Sequence, residues 1–84
     1  METNFSWVLG TETNNIVEAL ALWQGLLIAK NQGIADLTVL GGSRIVIQAM
    51  VENSLPNEMH LKKLIKKIQT LTLSFHKIGF YHIL

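Results

Sequence analysis

The sequence predicts one small α/β domain over residues 1–84, with three strands and with helices packed on one face of the sheet. Strand-like alternation and helical spacing follow one another along the chain, in the order strand, helix, strand, two helices, strand. That order is typical of parallel sheets with right-handed crossovers. A chain of 84 residues with 49% hydrophobic content has room for one core.

The first strand and the first helix are predicted from two different periodicities. Residues 4–9 alternate and carry aromatic and β-branched side chains, which favours a strand, before Gly10 interrupts it. From Asn15 onward two neighbouring apolar stripes predict a helix with a wide buried surface. The stripes are Ile16, Leu20, Trp23 and Leu27, and Ala19, Leu22, Leu26 and Ala29. Gly33 can take the left-handed conformation that ends such a helix.

The second half of the chain repeats this alternation. Residues 35–41 are predicted to form a strand with both faces partly covered, and Ser43 is a suitable N-cap for a short helix over 44–52. The clearest helix follows, since apolar residues within 61–75 recur at the i, i+3, i+4, i+7 spacing. Residues 77–84 form the predicted third strand.

Composition excludes several classes of protein. The net charge of +1 creates no strong overall field, so nucleic-acid binding would depend on a local patch. Without cysteine there are no disulfides, thiolate nucleophiles or sulfur-based zinc sites. The first residues lack the pattern of a secretory signal, and the apolar stretch 16–29 is shorter than the ~20 residues a membrane span requires. We therefore expect an intracellular protein, in cytoplasm or nucleus, without membrane contact.

Three segments of the chain carry recognisable motifs. They are residues 10–21 with Thr13, Asn14, Asn15 and Glu18, residues 37–43 ending in Gly-Gly-Ser, and residues 80–84. Together they resemble the ribonuclease H family, in particular the reverse-transcriptase-like branch found in plant retroelements (retrotransposons). The resemblance covers nearly the whole chain. It implies a partial ribonuclease H-like fold truncated at both ends, whose family activity is the hydrolysis of RNA in RNA-DNA hybrids.

The resemblance also implies a metal site that this chain retains only in part. Family members hold two Mg²⁺ ions with four acidic residues, because two metals need several carboxylates. Glu18 matches the second acidic position, whereas the third, an Asp in the family, is Gly42 here. The first and last positions would lie before Met1 and after Leu84. We therefore expect no bound Mg²⁺ and no cleavage.

The same residues also have structural interpretations. Asn15 and Glu18 have the spacing of a capping box, in which Asn15 caps the helix and Glu18 returns the bond. Thr13, Asn14 and Asn15 are also common turn and cap residues. By resemblance the same three would contact the minor groove of the hybrid. Both interpretations stay open.

The basic side chains are less informative. The simplest interpretation is a solvated helix face for four lysines, Lys62, Lys63, Lys66 and Lys67, with phosphate contact as the alternative. No role follows for the three histidines, which lie on different elements without metal-ligand spacing: His60, His76 and His82.

Two functions from different classes remain open. The first is a degenerate fragment of a ribonuclease H that retains weak binding to an RNA-DNA hybrid or another nucleic acid. The second is a non-catalytic interaction module that uses open sheet edges. We expect residues 4–9 to pair in parallel with 35–41 or to stay unpaired. Exposure of Leu40, Tyr81 and Ile83 beside an unpaired edge would then favour self-association.

Overall fold

The computed structural model describes residues 2–7, as backbone only, and residues 15–83. Its elements, in chain order, are β1 (Glu2–Trp7), α1 (Asn15–Asn31), β2 (Asp36–Gly41), α2 (Arg44–Glu52), α3 (Met59–Thr72) and β3 (Lys77–His82). The predicted order of strands and helices is confirmed.

The strands form one parallel sheet in the order β1-β2-β3. Both crossovers step in the same direction across this sheet, so right-handed connections place α1, α2 and α3 on the same face. The parallel pairing of the first strand with the second is therefore confirmed, as is the α/β class.

Strand β1 begins earlier than the predicted 4–9 and is described from Glu2 to Trp7. Its ladder pairs Glu2 with Asp36 and Trp7 with Gly41, so β1 matches β2 in length. The prediction relied on aromatic and β-branched residues within the segment itself. The extent of a strand depends instead on its hydrogen-bonded neighbour. Residues 8 and 9 lie outside the described residues.

The core lies between β2 and the helices. Leu37 and Val39 point to the helix face of β2 and are buried, whereas Thr38 and Leu40 on the other face are only partly covered. The helices contribute Ala19, Leu22, Leu26, Ala29, Val46, Ala49, Leu61, Ile65, Ile68 and Leu71. The predicted stripe of α3 is thus buried, and Phe75 completes it just after the helix.

Helix α1 is less buried than the sequence predicts. Leu20 is exposed, although it belongs to a predicted buried stripe, and so are Val17 and Ile28. The sheet covers one side of α1 and α3 a second, but no element in residues 15–83 covers the third. The apolar content of this helix therefore exceeds the area that its neighbours bury.

Local caps explain where the helices begin and end. Gly33 follows α1 with φ of 73°, and Asn53 ends α2 with φ of 52°, both in the left-handed region. Ser43 caps α2 as predicted, because its hydroxyl accepts the amide of Val46 at 3.2 Å. The side chain of Gln69 on α3 donates to the carbonyl of Ser54 at 3.0 Å, which holds the loop after α2. None of the described helices is long and apolar enough to cross a membrane.

Candidate functional site

The motif residues meet at the carboxyl edge of β2. This strand ends at Gly41, and the turn formed by Gly41, Gly42 and Ser43 leads directly into α2. Helix α1 begins at Asn15 beside this turn, because it follows the parallel neighbour β1. In open α/β sheets the crevice outside the carboxyl ends of the strands is the usual place for ligands.

Glu18 is the central side chain of this site. It lies in the first turn of α1 and is 2% exposed. Its Oε1 accepts a hydrogen bond from the amide of Gly42 at 2.6 Å. The partial positive charge at a helix N-terminus also favours a carboxylate in the first turn. Backbone donors therefore compensate the burial of this acid.

Asn15 and Ser43 form a second contact across the same gap. The Ser43 hydroxyl donates to Asn15 Oδ1 at 2.7 Å while it accepts the amide of Val46 at 3.2 Å. One buried hydroxyl thus connects the first turns of α1 and α2. The sequence indicated Ser43 as a cap only, and nothing in its spacing from Asn15 predicts this second partner.

Gly41 is a site residue that the motif analysis did not single out. A Cβ added here would lie 2.9 Å from Glu18 Oε1 and 2.9 Å from Ile47 Cδ1. Both distances are shorter than ordinary contacts, so the buried side chains of Glu18 and Ile47 would have to move to admit a side chain here. The sequence feature that could have indicated Gly41 is the pair of adjacent glycines. Only the second of them, Gly42, was related to the family's metal site.

The capping-box interpretation of Glu18 is wrong. Asn15 is the first residue of α1 rather than its cap, and its side-chain oxygen accepts from Ser43. Glu18 contacts a turn 24 positions away. The capping box considers only neighbours in sequence, whereas this carboxylate is buried against another element. Two further candidates, Thr13 and Asn14, lie outside the described residues.

Asp36 lies at the opposite end of the sheet from Glu18. It is the first residue of β2, and its carboxylate is 3.3 Å from His76 Nδ1. Because Asp36 and Gly41 are the first and last residues of β2, Asp36 is too far from the Gly42 turn to share an ion with it. Among residues 15–83 no three His, Asp or Glu side chains come together in a way that could hold a metal ion.

Among the remaining basic residues, Arg44 directly follows the turn and His82 is the β3 partner of Gly41, whereas four lysines lie on α3. Lys62, Lys63, Lys66 and Lys67 are all exposed on α3, as a solvated face requires. Lys67 Nζ lies 5.8 Å from the centre of the Trp23 ring, a cation-π distance that links α3 to α1. His60 contacts Glu58 at 3.1 Å, so the histidines do not form one group.

Comparison with solved structures defines the class of fold as ribonuclease H-like. RNase H1 of the halophilic archaeon Halobacterium salinarum NRC-1 matches with a TM-score of 0.76 and 24% sequence identity. The match covers 83% of this chain and 53% of that protein, so the chain spans about half of its length.

The family is defined by sequence. A family model described as reverse transcriptase-like matches residues 3–84, and the chain belongs to this family. No curated protein sequence matches it. The ribonuclease H resemblance is thereby confirmed.

The described residues do not fit the two Mg²⁺ ions of the ribonuclease H family. Glu18 is the one acidic residue in contact with the Gly42 turn in the described part of the chain, and one of its oxygens already accepts the Gly42 amide. Mg²⁺ requires near-octahedral oxygen ligands. A single carboxylate committed to a backbone donor cannot supply them for two ions.

Proposed function

We propose that this chain is a degenerate ribonuclease H-like domain that has lost hydrolysis and keeps weak affinity for nucleic acid. The observation that carries the proposal is the hydrogen bond between Glu18 and the amide of Gly42. Where the family resemblance implies two carboxylates facing each other across metal ions, this chain has a carboxylate bound to backbone. Glu18 is therefore an ancestral ligand with a structural role.

Loss of hydrolysis follows from the chemistry of the family reaction. Two ions held at a separation of ~4 Å stabilise the attacking and leaving oxygens, and several carboxylates must fix them. Glu18 alone leaves such ions in solvent. No step of the reaction can then be assigned to the described residues.

The test is a cleavage assay with a labelled RNA-DNA hybrid and Mg²⁺, using wild type, Gly42→Asp, Glu18→Gln and Glu18→Ala freed from host nucleases. We expect no cleavage by any of the four proteins. Gly42→Asp should improve Mg²⁺ binding only slightly, because the backbone amide at position 42 still occupies Oε1 of Glu18. Cleavage by wild type that disappears in both Glu18 variants would overturn the proposal. It would also imply that a second chain completes the site.

Residual nucleic-acid binding is supported by two groups of side chains. Asn15 is only half-buried beside the turn, and four exposed lysines on α3 have no acidic residue among them. Phosphate contacts by lysine release counterions, so log K should fall with log salt by about 0.9 per contact. We expect weak binding of an RNA-DNA hybrid that falls steeply with added salt.

A matched pair of variants tests this binding. Replacing Lys62 and Lys63 by Gln should reduce the salt slope by about 2, since each phosphate contact contributes roughly one unit. Replacing Lys30 and Lys77 by Gln changes net charge equally and should leave the slope unchanged. Equal effects of both pairs, or no shift of the hybrid at low ionic strength, would contradict a binding surface on α3.

Weak self-association is the second candidate property. On the sheet face away from the helices, Tyr81 is 59% exposed, although Leu40 and Ile83 are half-buried. This supports the expected self-association only at Tyr81. Sedimentation at high micromolar concentration should detect reversible dimers that Tyr81→Ser removes and Leu73→Ser does not. A compact monomer throughout would exclude it.

A further inference from the structure

Strand β3 is an edge of the described sheet, and its backbone has a defined outward side. The amides of Lys77 and Ile83 donate to carbonyls of Ala35 and Gly41, at 3.1 and 3.0 Å. Backbone groups alternate in direction along a strand. The N–H and C=O groups of Ile78, Phe80 and His82 therefore point away from β2. No backbone hydrogen bond among the described residues uses them.

A groove with both polar and apolar lining residues runs beside this edge. Its volume is about 420 Å³, and it lies between β3, the end of α2 and α3. Its lining consists of Met50, Val51, Asn53, Gln69, Thr72, Ile78, Phe80 and Tyr81. Val51 on its rim is 63% exposed. Unused backbone donors and acceptors thus adjoin a surface that can receive an apolar side chain.

We propose that the β3 edge and this groove bind an extended peptide segment of another protein as an added antiparallel strand. In an antiparallel pair, residues opposite one another point their side chains to the same face. Peptide residues opposite Ile78, Phe80 and His82 would exchange backbone hydrogen bonds with them and direct their side chains toward the groove. Backbone bonds supply affinity in this mode of recognition, and alternate side chains supply specificity.

The charge at the start of β3 indicates what the segment contains. Lys77 is exposed there, and no acidic side chain lines the groove. A segment with acidic residues flanking its apolar ones is complementary. A second copy fits less well, because β3 has no acidic residue of its own to meet Lys77 of the other copy.

The first experiment follows amide hydrogen exchange by NMR. The probe is the capped peptide Asp-Val-Thr-Val-Thr-Val-Asp, and a saturating amount should slow exchange at Ile78, Phe80 and His82 by at least about tenfold, since these amides become hydrogen-bonded. N-methylation of the three valines removes the donors that face β3 and should abolish the effect. N-methylation of the two threonines blocks only the outer edge and should leave it. No protection, or the reverse response to methylation, would overturn the proposal.

The second experiment changes the groove without touching the strand. Val51→Asp should weaken binding of the same peptide about tenfold, because the rim loses apolar contact and gains a charge that repels the acidic ends. Leu73→Asp introduces the same charge at a residue that is 84% exposed and outside the groove, and binding should persist. Equal loss in both variants would count against the site. Protection of the three amides in peptide-free protein that grows with protein concentration would assign the edge to a second copy and overturn the proposal.

Discussion

Glu18 and Glu58 make the same hydrogen bond in different surroundings. Each carboxylate accepts a backbone amide, from Gly42 at 2.6 Å and from Leu61 at 2.7 Å. Glu18 is 2% exposed and reaches across the fold, whereas the Glu58 side chain is 56% exposed and reaches three residues along its own helix. One bond therefore maintains the contact between elements, and the other only caps α3.

The comparison predicts the largest effect at Glu18. Glu18→Ala leaves the Gly42 amide without its acceptor in a buried place, so unfolding free energy should fall by about 3 kcal/mol. Glu18→Gln keeps an acceptor oxygen and should lose only about 1 kcal/mol. Urea denaturation measures both. Equal losses would mean that the negative charge, rather than the hydrogen bond, stabilises the turn.

Gly41→Ala tests the same contact from the other side. The new methyl group would lie 2.9 Å from Glu18 Oε1. We expect a loss of about 2 kcal/mol, as is usual for overpacking. Gly25→Ala is the control, since no atom lies within 4 Å of its added Cβ. Alanine is the better helix former, so this change should raise stability by up to ~1 kcal/mol. Similar stability changes for both substitutions would show that the site can move to accommodate a side chain at position 41.

Asp36 provides a carboxylate whose partner is a side chain rather than backbone. Its contact with His76 is 3.3 Å long, and the His76 side chain is 77% exposed. Exposed pairs contribute little, so Asp36→Asn should change unfolding free energy by less than about 0.5 kcal/mol. Thermal denaturation of the two proteins provides the measurement. A loss as large as that of Glu18→Gln would remove the distinction between the two ends of β2.

Glu58 should give the smallest effect, and a pH-dependent one. The backbone amides of Leu61 and then His60 lower the pKa of this carboxyl below its ordinary value of 4.5. A lowered folded-state pKa stabilises the fold above the unfolded-state pKa, and this contribution is lost as pH falls through the folded-state pKa. The Tm of Glu58→Gln should lie slightly below wild type at pH 7, and the gap should close as the pH falls from 4.5 through the lowered folded-state pKa. A gap that is constant with pH would exclude a charge effect.

The apolar stripe and the caps of the helices could be predicted from sequence because each depends on neighbours along the chain. The stripe of α3, the cap at Ser43 and the left-handed Gly33 are of this kind. Two errors, in β1 and α1, arose where a distant element sets the outcome. The start of β1 at Glu2 follows from its ladder with β2, and the exposure of Leu20 follows from what packs on α1.

The candidate site divides in the same way. The ribonuclease H resemblance marked Glu18 and Gly42 as positions of the family's metal site. It did not predict the direct hydrogen bond between them. No periodicity connects residues 24 positions apart. The need for glycine at position 41 follows only from the distance to Glu18 in the folded chain.

The all-parallel ladder has a consequence for the order of folding. Glu2 pairs with Asp36, and Asp36 pairs with Lys77, so each strand contact closes a loop of more than thirty residues. Such closure loses chain entropy before any ladder bond forms, whereas α1 and α3 gain from local contacts. Synthesis starts at the N-terminus, so β1, α1 and β2 leave the ribosome before β3 and can begin to fold first. The second edge of β2 therefore stays open until residues 77–82 have left the ribosome, and this interval is when the nascent chain is most prone to pair with the wrong strand.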